Sequence, residues 1–175
     1  QEIFRQVATK REIILDGGQP FIWEFCNFGK LLDTMSCDDS VLGDASRELH
    51  DRQPSSALEP WGLIVYFDET VPGDPLRLDQ RKKFMSVYIG IKNLGWIYLK
   101  HERFWLPAAI CRTNMIKEVP GRWSRLLKIL LRSIVVDAPS ARSGVPLRCL
   151  NQALAFFKVS NLLGDEDGLR QGWSN

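Results

Sequence analysis

Apolar and polar positions fall into short, sharply bounded blocks from Trp61 onward. "GLIVYFD" (62–68) is a β-rich apolar run short enough for a buried strand. "VPGDPLRLDQRK" (71–82) must be a loop, because its prolines and glycine break regular pairing. "KFMSVYIGI" (83–91) predicts a second strand, "NLG" a turn, and "RFWLPAAICR" (103–112) a third strand in which Pro107 demands an edge or a bulge. In "PGRWSRLLKILLRSIVV" (120–136), Trp123, Leu126, Leu127, Leu130 and Ile134 repeat at helical spacing behind a Pro-Gly start. After the loop "DAPSARSGVP", Leu154 to Leu162 predicts a fourth strand, with its Leu and Ala content leaving a helix as the alternative.

Upstream the pattern is weaker. Residues 1–35 hold the apolar clusters "EIIL" and "FIWEFCNFGKLL" around a Gly-Gly-Gln-Pro turn, which predicts an ordered extension with a hairpin and a short helix. Residues 36–60 are polar and end in turn signals, which predicts a linker. The main domain is then 61–175.

Three strands joined by short turns suit an antiparallel meander. A helix followed by a fourth strand suits a right-handed crossover that returns the chain parallel to an earlier strand. The predicted fold class is therefore α/β, a partial ribonuclease H-like core in which strand four lies beside strand one, with an N-terminal extension. That arrangement makes neighbours of two acid-rich strand ends, "FDE" at 67–69 and "GDED" at 164–167. Asp68 and Asp165 are the candidate pair. Converging carboxylates are the oxygen ligands that Mg²⁺ or Mn²⁺ takes, and two such ions about 4 Å apart drive phosphoryl transfer. Acids at strand ends also serve simply as turn residues, and spacing alone leaves both readings open.

Charge changes the picture by position. Between Arg77 and Arg132, 13 Lys/Arg stand against three acids, while the rest of the chain carries ten Lys/Arg and 18 acids. A basic middle of this kind attracts nucleic-acid phosphates or is a solvated cationic face. The candidate contacts are Arg81, Lys82 and Lys83 after the loop, and Arg122, Arg125, Lys128 and Arg132 on the polar side of the helix. Cys26, Cys37, Cys111 and Cys149 form no CxxC pair, and His50 and His101 are the only histidines, so neither a disulfide framework nor a zinc site is expected. No apolar run approaches the ~20 residues of a membrane-spanning helix. The start lacks a secretory pattern, so an intracellular, nuclear location is expected.

The run "PWGLIVYFDETVPGDPLRLDQRKKFMSVYIGIKNLG" resembles the "W…DE.PG..L..D..RK…V…F..LG" block of a large uncharacterised, transposon-like protein group abundant in dinoflagellate predicted proteomes. The likeness extends through "FIWEFCNFGKLL", "WLPAAICRTNMIKEVPGRWSRLLKILLR", "GVPL" and "SNLLGDEDGL". That group is similar in turn to cut-and-paste transposases of the Plavaka and Kyakuja-Dileera-Zisupton kind. The resemblance implies a ribonuclease H-like core with an Asp-Asp-Glu metal triad, Asp68 and Asp165 matching its two aspartates, with Glu69 and Asp167 as alternatives. It implies Mg²⁺ or Mn²⁺ as cofactor and DNA as partner. The triad's glutamate would lie beyond Asn175, so the expectation is a fragment or relic of a DNA-cleaving domain, inactive as it stands. The rival expectation is a non-catalytic nucleic-acid-binding or protein-interaction domain that uses the basic segment 77–132.

Overall fold

A computed structural model describes residues 2–37, 39–71 and 83–164, with side chains from residue 5. Helix α1 (Glu2–Val7) leads into strands β1 (Ala8–Ile14) and β2 (Pro20–Cys26), an antiparallel hairpin closed at the glycine turn. Helix α2 (Phe28–Met35) follows, capped by the Asn27 side chain, which accepts from the Lys30 N–H at 3.0 Å. Helix α3 (Val41–Arg52) is capped in the same way by Ser40.

Strand β3 (Trp61–Thr70) pairs antiparallel with β4 (Phe84–Ile91). Helix α4 (Trp96–Leu99) and short 3₁₀ turns at 92–94 and 102–104 connect β4 to β5 (Leu106–Arg112). Helices α5 (Thr113–Glu118) and α6 (Arg122–Val135) come next. Gly121, at φ 77°, occupies the N-cap of α6 in the left-handed region that glycine enters without a Cβ penalty. A small two-stranded sheet, β6 (Val145–Leu147) with β7 (Ala153–Ala155), precedes β8 (Phe157–Gly164).

The main sheet runs β1-β2-β5-β4-β3-β8. It is antiparallel throughout except for the last pair, where β8 lies parallel to β3. The chain is thus mixed α/β, with an antiparallel meander of β3, β4 and β5, the helices α5 and α6, and a parallel return strand beside β3. The N-terminal hairpin joins this sheet through Phe25 opposite Ala109. Strand β5 is therefore central, and Pro107 is accommodated by the bulge: the register steps from Val87·Ala109 to Tyr88·Pro107, leaving Ala108 unpaired.

Strand alternation gives the sheet two different faces. On one, Trp61, Leu63, Val65 and Phe67 of β3 are fully buried with Val87, Ile89 and Ile91 of β4. Helix α6 closes this face through Trp123, whose ring centroid lies 5.8 Å from that of Phe67. Helix α2 closes it through Phe28, edge-on to Phe157 at 5.3 Å. The five apolar positions read as the inner stripe of α6 are all buried. The other face carries Ile64, Tyr66 and Asp68 of β3, Ser86 and Tyr88 of β4, and the exposed Ile110 and Leu163.

The expected linker is partly helical. Within 36–60, α3 buries Leu42, Ala45, Ser46 and Leu49, and the Trp61 indole N–H donates to the Gln53 carbonyl at 2.8 Å. The segment is anchored to the start of β3 because α3's buried stripe, though made of small and few apolar residues, has the spacing of one helical face.

Candidate functional site

Asp68 and Glu69 are adjacent in sequence and turned to opposite faces. Glu69 points to the helix side, where its carboxylate accepts from Lys83 Nζ at 3.0 Å and from Thr113 Oγ1 at 2.8 Å. Partial burial by itself would push its carboxyl up. The hydrogen bonds from Lys83 and Thr113, with the charges of Lys83 and Lys117, outweigh that and hold it below its ordinary value. Glu69 is thus neutralised within the fold, at the junction of β3, β4 and α5. Lys83 is spent on the same contact, at 23% side-chain exposure, and does not stand free to meet a phosphate.

A group whose folded pKa is depressed adds stability above its unfolded pKa, about 4.3 for Glu, and loses it as pH falls through the folded value. Glu69→Gln should therefore cost on the order of 1 kcal/mol at pH 7. The gap between variant and wild type should shrink to nothing as pH drops below 4, read from urea midpoints across that range. A gap that stays constant with pH would show that the ion pair contributes nothing.

Asp68 lies half-buried on the other face, opposite Ser86, whose hydroxyl donates to the Asp68 backbone carbonyl at 3.3 Å. Among the described residues its carboxylate takes no hydrogen bond or ion pair. Two residues earlier, Tyr66 pairs across the parallel ladder with Leu163, and Phe67 with Gly164. Gly164 is the last described residue of β8. Asp165, Glu166 and Asp167 lie outside the described residues, as do Arg81 and Lys82. Among the described residues no three His, Cys, Asp or Glu side chains cluster closely enough to hold a metal ion. Of the two adjacent acids, Asp68 is the one whose carboxylate has no partner among the described residues.

No protein-family model matches the chain, and neither a curated protein nor a solved structure matches it.

The basic stripe is where its periodicity put it. Arg122, Arg125, Lys128 and Arg132 are exposed along α6, with no ion pair among the described residues. Helix α6 covers the face opposite Asp68, so the stripe and Asp68 do not address one ligand at one point. The structure places Arg122, Arg125, Lys128 and Arg132 together and separates them from Asp68 by the thickness of the sheet.

None of the four cysteines is in a disulfide, and burial pushes the Cys26 and Cys111 thiols up to about 11, which suits packing and not nucleophilic chemistry. No helix among the described residues is long and apolar enough to cross a membrane. One feature of the open face escaped the sequence reading. Tyr66, Tyr88, Glu102, Trp105 and Leu163 line a cavity of about 610 Å³. Its signal was present in the alternation, since Tyr66 and Tyr88 share parity with Asp68 and Ser86 and so fall on the face opposite the buried row of Leu63, Val65 and Phe67.

Proposed function

We propose that this chain carries the opening part of a ribonuclease H-like, transposase-like domain, in which Asp68 and Asp165 jointly hold a divalent metal ion for phosphodiester chemistry on DNA. The observation that carries this reading is the parallel β3·β8 register. It ends at Phe67 opposite Gly164, and the next residue of each strand's sequence is an aspartate. Side chains paired across a parallel ladder point to one face. That Asp68 has no side-chain partner among the described residues supports the same reading, because a carboxylate already neutralised, as Glu69 is, makes a poor ligand.

Asp68 and Asp165 would supply hard oxygen donors suited to Mg²⁺ or Mn²⁺. The bound ion would activate the attacking oxygen and stabilise the leaving one. Asp68's part is positional: strand β3, clamped between β4 and β8, fixes where its carboxylate stands. Glu69 and Lys83 hold β3, β4 and α5 together beside it.

Calorimetric titration with Mn²⁺ tests the pair. Asp68→Ala and Asp165→Ala should each weaken binding at least about tenfold, roughly 1.4 kcal/mol, with thermal unfolding unchanged. Equal binding by wild type and Asp68→Ala would remove Asp68 from the site.

A second reading has its own support in the exposed basic stripe of α6. Read this way, the domain binds nucleic acid without cleaving it. Replacing Arg122, Arg125, Lys128 and Arg132 with alanine should then flatten the dependence of log K on log salt by about 0.9 for each phosphate that is no longer neutralised. An unchanged slope in a duplex-DNA titration would clear the stripe of that role.

A further inference from the structure

The cavity on the open face has a chemistry that neither carboxylate pair nor basic stripe uses. Tyr66 and Tyr88 are cross-strand partners whose ring planes lie within 25° of each other, with centroids 6.5 Å apart. Trp105 stands at 65° to Tyr66, with centroids 6.0 Å apart, so the three rings form a corner. The corner is preorganised. The Trp105 indole N–H donates to the Leu99 carbonyl at 2.8 Å, which sets the ring's orientation. Gly90 has no Cβ, and one placed there would sit 3.2 Å from Trp105 Cε3 and Cζ3, so the glycine lets the indole lie against the sheet. Among the described lining residues Glu102 supplies a carboxylate and Leu163 an aliphatic wall.

We propose that this corner binds a methylated ammonium group. Aromatic faces carry negative electrostatic potential and attract cations set over them, tryptophan most strongly. Glu102 adds a full opposite charge. A phosphate-bearing ligand would meet that carboxylate with no cation among the described lining residues to offset it, so charge complementarity favours a cation. Methylation favours it further, because a quaternary ammonium keeps its charge while surrendering much less hydration on entering an apolar corner than a primary amine does. At about 610 Å³ the cavity exceeds such a headgroup and has room for the stem that bears it. The same headgroup occurs on a trimethylated lysine side chain and on choline, and the site's chemistry reads what they share.

Four probes titrated into the wild-type protein and its variants, with binding read from two-dimensional NMR shifts of the Tyr66, Tyr88 and Leu163 backbone amides, test this. They are a trimethyl-lysine peptide, choline, its neutral isostere 3,3-dimethylbutan-1-ol, and a nucleoside monophosphate. At least one of the two cations should bind about tenfold or more tightly than the isostere, and the tighter of the two identifies the source. Glu102→Gln, an exposed position that leaves the fold intact, should weaken the cation several-fold and leave the isostere unaffected. Trp105→Leu should abolish cation binding, with thermal unfolding showing whether the protein still folds; the Glu102→Gln result stands even where it does not. Equal binding of cation and isostere, preference for the nucleotide, indifference to Glu102→Gln, or no binding of either cation would each overturn the proposal.

Discussion

Replacing Trp123 with alanine is expected to remove about 3–5 kcal/mol of stability, the range for deleting a buried aromatic side chain. Trp123 is 1% exposed in the first turn of α6 and meets Phe67 at the far end of β3's buried row. The chain enters α6 through the glycine turn at Gly121, so this residue fixes where the helix first touches the sheet. The four apolar positions that follow it toward the C-terminus depend on that placement. Trp123→Phe should be far milder, below about 1.5 kcal/mol. It keeps a ring against Phe67 and gives up an indole N–H that has no hydrogen-bond partner among the described residues. Urea denaturation of the two variants checks both values. Similar losses for alanine and phenylalanine would mean that the full width of the indole, and not a ring contact with Phe67 alone, secures the helix.

Gly164→Ala is expected to cost about 1–3 kcal/mol, as overpacking does in a well-filled interior. A Cβ at Gly164 would lie 2.7 Å from Phe67 Cζ and closer still to Cε2. Phe67 cannot swing away, because it is itself 1% exposed and backed by Trp123. The strain falls on the β3·β8 ladder at its last described pair, one residue short of Asp68 and Asp165. On the proposed metal reading the variant should therefore lose Mn²⁺ affinity as well as stability, although it replaces neither carboxylate. A fully stable Gly164→Ala protein with undiminished Mn²⁺ binding would show that the ladder's end does not position the pair.

Much of the central architecture was legible because its signals are local and strong. "GLIVYFD" alternates into a buried row of Leu63, Val65 and Phe67, and the α6 stripe repeats from Trp123 to Ile134 without interruption. Pro107 announced an irregularity, and the bulge at Ala108 is how a central strand absorbs it. The parallel return of β8 beside β3 followed from the order of elements. The stretch 154–162 is extended and not helical, but it is not one strand: Leu154 and Ala155 belong to the small β6·β7 sheet, and β8 begins at Phe157. By contrast, α3 was passed over as linker: its buried face of Leu42, Ala45, Ser46 and Leu49 offers two large apolar residues, and its remaining positions are polar.

The candidate site was legible in composition and not in direction. Counting charges along the chain grouped Lys83 with Arg122, Arg125, Lys128 and Arg132, yet Lys83 is held by Glu69 and the α6 stripe lies across the sheet from Asp68. Asp68 and Glu69, adjacent in sequence, differ in face: Thr113 and Lys83 engage Glu69, and Asp68 has no side-chain partner among the described residues. Those partners lie 44 and 14 residues away, beyond the reach of any local pattern.

The most direct measurement is the pattern of paramagnetic broadening when Mn²⁺ is added to ¹⁵N-labelled protein. The amides of Tyr66, Phe67, Leu163 and Gly164 should fade first, because they border the proposed ligands on both strands, and Asp68→Ala should abolish the effect. Broadening that survives in Asp68→Ala, or that centres on residues remote from the β3·β8 ladder, would contradict a metal site shared by the ends of these two strands.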